Sequence, residues 1–429
     1  MVKLTDYEQS MLEGQMGAFK QKALEFIVRY AEVLGAEELC EFSRATLFIG
    51  AHHYLDCYPE DTDYQKIFSE FYLCSDELVE FGKMADGCKV QTCAGACDFR
   101  EYERSHLLQE YHEKNLRFLE TTKKMGVKIV ESCTPYYVGW IPLQGEHFVT
   151  NESSNVVVSN TVFGAYGNSD GVEAAVCGAI CGRIPKWGMH IKENRYGTCV
   201  FTLASKTPES FVDWDLLGFT MGRLLPKHQV PVLLADFKRP DINKLRQFCS
   251  AISVTSATEL CHIVGLTPEA QTLEMALGGK TPKYEIVVTQ KDIEESLVML
   301  CDEGEGEVDF IHVGCPHLSL DELKDIAEYI CNKKVKEGVE FAIWTDYATK
   351  EMANVNGYTQ IIEDAGAFVL AGSCPVVMRE HSHRHATAMV MSGAKQACSI
   401  RHQTKVPVYY GGIYECIDAA IKGRWEGVK

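Results

Sequence analysis

The feature that most constrains the fold is an alternation of apolar, strand-like runs with amphipathic, helix-like runs in the C-terminal part of the chain. From residue 284 onward, YEIVVT is followed by KDIEESLVML, VDFIHVG by SLDELKDIAEYI, and EFAIWT by a helical stretch that ends at Ile362. A further strand-like run, AFVLAG, closes the series. Such alternation is typical of parallel sheets with helices on their faces. We therefore predict an α/β fold built on parallel or mixed sheets flanked by helices.

The length of 429 residues predicts two or three packed units, because a single domain averages about 150 residues. No low-complexity segment or clean linker separates them. We expect one unit over residues 1–125, another over 280–400, and a central region over 126–280 that faces the ligand. The first 40 residues are predicted to be helical, since their apolar side chains recur at three- and four-residue spacing. Residues 145–200 are rich in Gly, Asn and Ser, which suits loops that approach a ligand.

The composition excludes several classes of partner. The formal net charge of −18 argues against nucleic acid, because phosphate binding needs clustered Lys and Arg. No apolar run reaches the roughly 18 residues of a membrane-spanning helix, and the N-terminus lacks the apolar stretch of a secretory signal. We expect a cytoplasmic protein that does not bind membranes. The 18 cysteines are then expected as reduced thiols, most of them small core residues.

Three cysteines share a local pattern in which an apolar, strand-like run leads to cysteine and then proline. Cys133 follows VKIVES, Cys315 follows VDFIHVG, and Cys374 follows AFVLAGS, with proline next or after one residue. Proline lacks an N–H and ends strand pairing, so each thiol is expected at the ligand-binding edge of a sheet. Thiolates in such positions suit iron–sulfur clusters, zinc or copper. Simple packing at a strand end is the alternative interpretation for each cysteine.

Other reactive side chains allow more than one interpretation. Cys93 and Cys97 in TCAGACDF have a spacing that suits a ligand pair, a redox pair or an ordinary loop. An early strand-like run ends at His52 and His53, for which we expect either a position facing a cleft or no special role. The histidines of HSHRH suit metal or anion binding, or a solvated helix start. They are His381, His383 and His385.

Longer phrases of the sequence resemble the aconitase X family, a group of dehydratases related to aconitase. The N-terminal phrase is LTDYEQSMLEGQMG, and the central phrases are SCTPYYVGWIPLQGEHFVTNESSNVVVSNTVFGA and GRIPKWGMHIKENR. VGCPH and AGSCP carry two of the patterned cysteines, and GGIYECIDAAIKG resembles the family's C-terminal end. The resemblance implies an aconitase-like fold, with residues 1–429 forming a complete catalytic large subunit.

The resemblance also implies a hydro-lyase in which iron or an iron–sulfur cluster polarises the leaving hydroxyl. Cys133, Cys315 and Cys374 fall on the family's cluster-ligand positions. Three such ligands leave one iron of a cubane cluster open to substrate. A larger cluster, a two-iron cluster and a single iron all stay open. Further residues fall in the family's substrate-facing loops, namely Glu152, Ser153, Asn160, Asn168 and Asp170.

Known activities of the family imply a 3-hydroxy carboxylate as substrate. We expect cis-3-hydroxy-L-proline, with phosphorylated mevalonate as the alternative. The family usually has an Arg-Thr-Asn-Arg-Glu-Gly-Gly-like run, whereas this chain reads AYGNSDGVE, with Tyr166, Ser169 and Val172 in that run. The lost arginines argue against a phosphate or a second carboxylate, which guanidinium groups bind well. A non-catalytic metal-binding scaffold that keeps the fold is the alternative from another class.

Members of the family also need a small swivelling domain, either fused or on a separate subunit. That domain is thought to supply the serine that acts as general base. We expect this chain to lack the domain and therefore to lack the base. The resemblance thus implies a small partner subunit that closes over the cleft as a mobile lid would.

Overall fold

The structure is a computed structural model that describes residues 2–49 and 63–427. Within these ranges the strands form three parallel sheets and two short antiparallel pairs. The antiparallel pairs are Leu39–Cys40 with Ile184–Pro185, and Gly306–Glu307 with Arg424–Trp425. The early histidines His52 and His53 lie outside the described residues. No helix in the described part of the chain has the length and apolar character needed to span a membrane.

The largest sheet confirms the predicted α/β alternation. Its five strands are all parallel. In order across the sheet they are Phe368–Ala371, Glu340–Thr345, Phe310–Val313, Met389–Ser392 and Val408–Gly411. Helices between and after these strands cover both faces and bury their apolar sides against them. The main ones are Leu320–Ile330, Tyr347–Val355, Tyr358–Asp364, Ala394–Arg401 and Ile413–Lys422.

Two smaller parallel sheets are built on the same plan. The four-stranded sheet has the order His262–Ile263, Pro231–Leu233, Cys199–Leu203 and Tyr284–Val288. Its core is shared with helices Phe211–Leu224 and Ile242–Ser256. The three-stranded sheet has the order Lys89–Thr92, Arg44–Leu47 and Phe148–Thr150. Helices Ala18–Leu34 and Val172–Cys181 pack against it.

The remaining helices connect these layers. The α-helices are Asp6–Leu12, Tyr64–Ile67, Gln109–Lys124, Ser153–Thr161, Leu273–Leu277, Gln290–Leu300, Pro375–Met378 and Glu380–His383. Short 3-10 turns are Tyr102–Ser105, Pro135–Val138, Gly188–His190 and Lys192–Arg195, and a π-helical turn is Phe68–Tyr72. Reciprocal capping boxes satisfy the first N–H groups of four helices and so locate their starts. The capping residues are Thr5, Ser210, Thr289 and Ser319.

The N-terminal segment is less continuous than the apolar spacing predicts. The expected helix over the first 40 residues is two helices, which are separated around Gly14 and Gly17. Both glycines have a positive φ, +83° and +89°, which ends helical geometry and favours glycine over other residues. The segment then closes with the short strand Leu39–Cys40 rather than with helix.

The run VKIVES before Cys133 is also not a full strand. It makes a single parallel bridge, between Lys128 and Gln91. The Thr92 hydroxyl then accepts hydrogen bonds from the backbone N–H groups of Val130 and Glu131, both at 3.0 Å. Because a side chain takes these donors, the ladder stops and the chain turns out of the sheet toward Cys133.

Candidate active site

One cavity brings together the three patterned cysteines. Cys133, Cys315 and Cys374 all line this space of about 180 Å³, and each is less than a tenth exposed. Glu152 and Ser153, which the sequence predicts to face the substrate, line it as well. The other lining residues are Phe48, Cys93, Ala94, Asn151, Pro316, Val376, Val377 and Lys395. We call this space the cysteine cavity.

The cysteine cavity lies at the carboxyl ends of two parallel sheets, which is where such sheets bind ligands. The three-stranded sheet contributes the first residue after each of its strands, namely Phe48, Cys93 and Asn151. The five-stranded sheet contributes residues two or three positions beyond a strand, namely Cys315, Cys374 and Lys395. Thus the side chains of two separate sheets converge on one space.

Hydrogen bonds between loops hold the cysteines in place. The Gly95 N–H donates to the Gly372 carbonyl at 2.6 Å, and the Ser373 hydroxyl donates to the Gly95 carbonyl at 2.8 Å. The His317 ring nitrogen Nε2 lies 2.8 Å from the Ser373 carbonyl, and the His317 backbone N–H donates to Cys133 Sγ at 3.3 Å. These contacts join the loops that follow four different strand-like runs, so the cysteines form a connected set.

The loop of Gly95 packs closely against the buried side chain of Glu131. A Cβ on residue 95 would lie 1.4 Å from Glu131 Oε2. Glu131 is buried and has a φ of +55°, and burial raises the pKa of its carboxyl to about 8. The contact sets the distance between the loop that carries Cys93 and the loop that carries Cys133.

Of the described residues that line the cysteine cavity, only Lys395 is basic. Its Nζ donates to Glu152 Oε1 at 2.7 Å and to the Ser153 hydroxyl at 3.0 Å. Burial lowers the pKa of Lys395, but Glu152 and nearby thiols outweigh burial and hold that pKa above its ordinary value. The sequence alone does not indicate a role for Lys395, because GAKQACSIR has the pattern of an ordinary surface helix. The strand-like AMVMS just before it was the available signal.

The donor set of the cavity fits an iron–sulfur cluster. Cys133, Cys315 and Cys374 offer three thiols from separate loops, and Cys93 adds a fourth. Hydrogen bonding with Cys374 and burial raise the pKa of the Cys315 thiol well above its ordinary value. Among the described residues, the one set of three ligands with all atoms within 4.8 Å of each other lies elsewhere. Two thiolates on one ion at about 2.3 Å are at most about 4.6 Å apart. Because the cavity cysteines are not such a set, at least two of any three of their sulfur atoms are more than 4.8 Å apart, which suits a cluster better than a single ion.

Cys97, the partner of Cys93 in the TCAGACDF run, does not line the cavity. It is buried in an apolar cluster that also contains Cys315 and Cys374, and its Sγ accepts a hydrogen bond from the Asn115 amide at 3.7 Å. The two cysteines of that run therefore have different surroundings, with only Cys93 among the lining residues.

The other polar residues predicted to face substrate are not among the lining residues. Asn160 bonds through its side chain to the backbone of Gly167 and to the Arg195 guanidinium. The Asn168 Oδ1 accepts from the Met189 N–H at 2.7 Å. Asp170 is buried, both of its carboxyl oxygens have no hydrogen-bond partner, and burial raises its pKa well above the ordinary value. A substrate-binding role for these residues stays a prediction.

The imidazoles of HSHRH face separate neighbours. The ring of His381 lies 5.0 Å from that of Tyr111. The ring of His383 is edge-on to Phe310 at 6.2 Å. His385 lies 5.9 Å from the ring of His106. The short helix Glu380–His383 ends within the run, with His381 and His383 in its last turn.

Comparisons with known proteins agree with this geometry. Three family models match consecutive parts of the chain, described as the first, second and third domains of aconitase X. They match residues 1–193, 197–297 and 308–422 respectively.

Similar proteins carry the names of dehydratases. The chain is 31% identical to the phosphomevalonate dehydratase large subunit of Methanocaldococcus jannaschii, covering 98% of this chain and 100% of that protein. It is 25% identical to cis-3-hydroxy-L-proline dehydratase of Pseudomonas aeruginosa, covering 98% of this chain and 70% of that protein.

A solved structure has the same fold. The crystal structure of Thermococcus kodakaraensis aconitase X in its holo-form superposes with a TM-score of 0.82 at 27% identity, covering 98% of this chain and 100% of that one. The predicted α/β, aconitase-like fold is therefore confirmed. Family models, relatives and fold agree with the phrases seen in the sequence, and the chain belongs to the aconitase X family of dehydratases.

Proposed function

We propose that this dehydratase removes water from a small 3-hydroxy carboxylate in the cysteine cavity. The observation that carries the proposal is the meeting of Cys133, Cys315 and Cys374 with the Lys395–Glu152 ion pair in one space. A cavity that contains both thiols and paired charges has the parts for a metal-assisted elimination.

In this proposal Cys133, Cys315 and Cys374 hold an iron–sulfur cluster. When bound, such a cluster supplies a Lewis-acidic iron that makes the substrate hydroxyl a better leaving group. Cys93 lies on the same cavity wall and is fully buried, and burial raises the pKa of its thiol well above the ordinary value. We assign Cys93 to the packing of the cluster pocket, because the other three thiols already satisfy a three-ligand set.

The charged pair favours a zwitterionic substrate. Lys395 offers an ammonium group to a substrate carboxylate, and Glu152 offers a carboxylate to a substrate ammonium group. One Glu152 oxygen also caps the helix Ser153–Thr161, which fixes the carboxylate in place. An amino acid matches both charges, so cis-3-hydroxy-L-proline is the first candidate. Its dehydration takes a proton from C2 and the hydroxyl from C3, which leave together as water.

Phosphorylated mevalonate is the second candidate, and sequence similarity favours it. Three phosphomevalonate dehydratase large subunits are 29% to 31% identical to this chain, whereas another, from Aeropyrum pernix, is 24% identical and the hydroxyproline enzymes are 24% and 25% identical. Against it, the described lining of the cysteine cavity contains no arginine, the side chain that binds phosphate bidentately.

The relatives named as large subunits support a small partner. We propose that this partner carries the general base, because Glu152 is already paired with Lys395 in the cavity.

The test is a direct comparison of the two substrates. The full chain is purified without oxygen, its iron and sulfide are counted, and it is assayed with a candidate small subunit. We expect water loss from cis-3-hydroxy-L-proline and a faster rate than with 5-phosphomevalonate. C315S should lose iron and activity together. C416S should keep both, because Cys416 is buried but does not line the cysteine cavity. Bound iron with no turnover of either compound would instead support a non-catalytic scaffold.

A further inference from the structure

A second group of metal-binding side chains lies apart from the cysteine cavity. Cys40, His147 and His190 each present one ligand atom, and all three atoms lie within 4.8 Å of one another. None of the three lines the cysteine cavity. They come from separate segments, because Cys40 ends a short strand, His147 precedes the strand Phe148–Thr150, and His190 ends the turn Gly188–His190.

The two imidazoles already point at one another. The Nδ1 atoms of His147 and His190 are 2.9 Å apart, so at least one of them presents a lone pair toward the shared space. In the absence of a cation, a single proton shared between the two nitrogens accounts for this distance. A metal ion that replaces this proton would take both nitrogens as ligands.

The backbone around each ligand is fixed by other contacts. The segment of His147 bridges Tyr166, and the Cys40 strand pairs with Ile184. The turn that carries His190 is closed by its own N–H, which donates to the Trp187 carbonyl at 3.0 Å. Asn168 supports that turn from the other side, with its amide donating to the same carbonyl at 3.2 Å. The ligands are therefore preorganised by structure that does not depend on a metal.

Both histidines open onto a large cleft. The cleft has a volume of about 790 Å³, and its wall includes His147, His190, Tyr166, Trp187 and Lys186. An ion bound at the histidines would have one side toward this cleft. Three protein ligands with a fourth position open to water is the arrangement of zinc sites that can take up an external ligand.

We propose that Cys40, His147 and His190 bind one zinc ion, with the fourth position open to the cleft. One thiolate and two imidazoles suit zinc among the common biological metals. Zinc lies about 2.3 Å from sulfur and about 2.0 Å from nitrogen, so a sulfur and a nitrogen ligand are at most about 4.3 Å apart. Small side-chain rotations bring the three atoms to that spacing. The ion would join the N-terminal strand to the segments around residues 147 and 190.

The test uses cobalt(II) as a spectroscopic probe of zinc in the full chain. The background is C315S, so that the cysteine cavity cannot supply its complete thiolate set. We expect one cobalt ion per chain with a near-ultraviolet thiolate-to-cobalt band, which one equivalent of zinc displaces. Adding C40S should abolish the band and weaken zinc binding by at least about 100-fold. H147Q should weaken zinc binding similarly and keep the fold.

The matched control is C88S in the same background. Cys88 is part-buried like Cys40, and burial raises the pKa of each thiol to about 12, but among the described residues Cys88 belongs to no set of three ligand atoms within 4.8 Å of one another. C88S should keep the band and the zinc affinity. The proposal is overturned if the band survives C40S, if C88S and C40S behave alike, or if the C315S chain binds no cobalt while circular dichroism shows it folded. None of these readouts depends on dehydratase activity.

Discussion

At the scale of single residues, the ion pair between Lys395 and Glu152 contributes most clearly to the stability of the cysteine cavity. Their side chains are only 15% and 10% exposed, so removal of either charge leaves the other buried and uncompensated. Breaking a buried pair in this way costs about 3–5 kcal/mol. We expect K395M to lower the free energy of unfolding by about 3 kcal/mol, measured by urea denaturation, and to raise the KM for substrate.

Two comparisons isolate the effect of burial at Lys395. K186M removes a lysine that is paired with Glu38 near the surface, where the two side chains are 41% and 54% exposed. That change should alter stability by less than about 1 kcal/mol. The double variant E152Q/K395M should recover part of the lost stability, because no lone charge remains. Equal losses in K186M and K395M would contradict the interpretation.

Asp215 links stability to pH. The side chain is fully buried, and its Oδ2 accepts hydrogen bonds from the Tyr410 hydroxyl at 2.7 Å and the Ala394 N–H at 2.6 Å. Burial raises the pKa of this carboxyl from 3.8 to about 7. Between those values the folded chain keeps a proton that the unfolded chain releases, so stability from this group falls as pH rises toward 7 and is level above it.

The variant D215N removes this titration. A pKa difference of about three corresponds to ~4 kcal/mol over the full range. We expect the stability advantage of the native chain over D215N to shrink by ~2–3 kcal/mol between about pH 5 and pH 8. Urea denaturation at both pH values measures this. An advantage that grows with pH would show that Asp215 is ionised in the folded chain.

At this scale the sequence predicts cysteines better than it predicts polar residues. Cys315 and Cys374 follow clear strand runs, so their meeting at a sheet edge could be foreseen from pattern alone. Lys395 could not, because a lysine in an amphipathic helix normally faces solvent. Asn160 and Asn168 look like ligand-facing residues, but their amides bond to nearby backbone. The hydrogen-bond partner of a polar side chain depends on the fold and cannot be predicted from the local sequence.

At the scale of structural elements, the contact between Gly95 and Glu131 joins the loop that carries Cys93 to the loop that carries Cys133. Because a Cβ there would overlap the Glu131 carboxylate, G95A has to displace this buried side chain, which belongs to the loop that carries Cys133. Overpacking of this kind costs about 1–3 kcal/mol. We expect G95A to lose that amount of stability and to bind less iron per chain after anaerobic reconstitution, measured by metal analysis.

The control for this prediction is G171A. Gly171 has an ordinary φ of −64°, and a Cβ there would come no closer than 3.6 Å to the Glu173 carboxylate. Its iron content should match that of the native chain. Normal iron in G95A would mean that the loop contact does not set the spacing of the thiols.

A strand can be predicted from the sequence where the strand that its local pattern favours also pairs with a neighbouring strand in the fold. The strands Glu340–Thr345 and Phe368–Ala371 match the runs EFAIWT and AFVLAG. Short, nearly continuous apolar runs are typical of strands that are buried on both faces of a parallel sheet. The run before Cys133, VKIVES, is also strand-like but makes one bridge, because the Thr92 hydroxyl accepts the hydrogen bonds of two of its N–H groups. That competition depends on a residue nearly forty positions away, which local pattern does not contain.

At the scale of the whole molecule, the cysteine cavity is lined by residues from two sheets whose strands are far apart in sequence. One sheet supplies Cys93 and Asn151, and the other supplies Cys315 and Cys374. Strand–helix alternation predicts the C-terminal sheet, but it does not predict the three-stranded sheet or say which sheet edges face one another. The family resemblance supplied that information for the three cysteines. It did not supply it for the Cys40, His147 and His190 group, whose members are spread over 150 residues of sequence.

The last prediction concerns the partner. In the described lining of the cysteine cavity, the one carboxylate, Glu152, is held by Lys395, and the other side chains that could take a proton are thiols and the Ser153 hydroxyl. A chain with its substrate and cluster pocket but no poised base should bind substrate without converting it efficiently. General bases contribute about 10²–10⁴-fold to rate. We therefore expect the isolated chain to contain iron and to bind substrate, measured by calorimetry, while turnover rises at least 100-fold when the small subunit is added. Full turnover by the isolated chain would place the base on this chain instead, and E152Q would then be the first variant to lose activity.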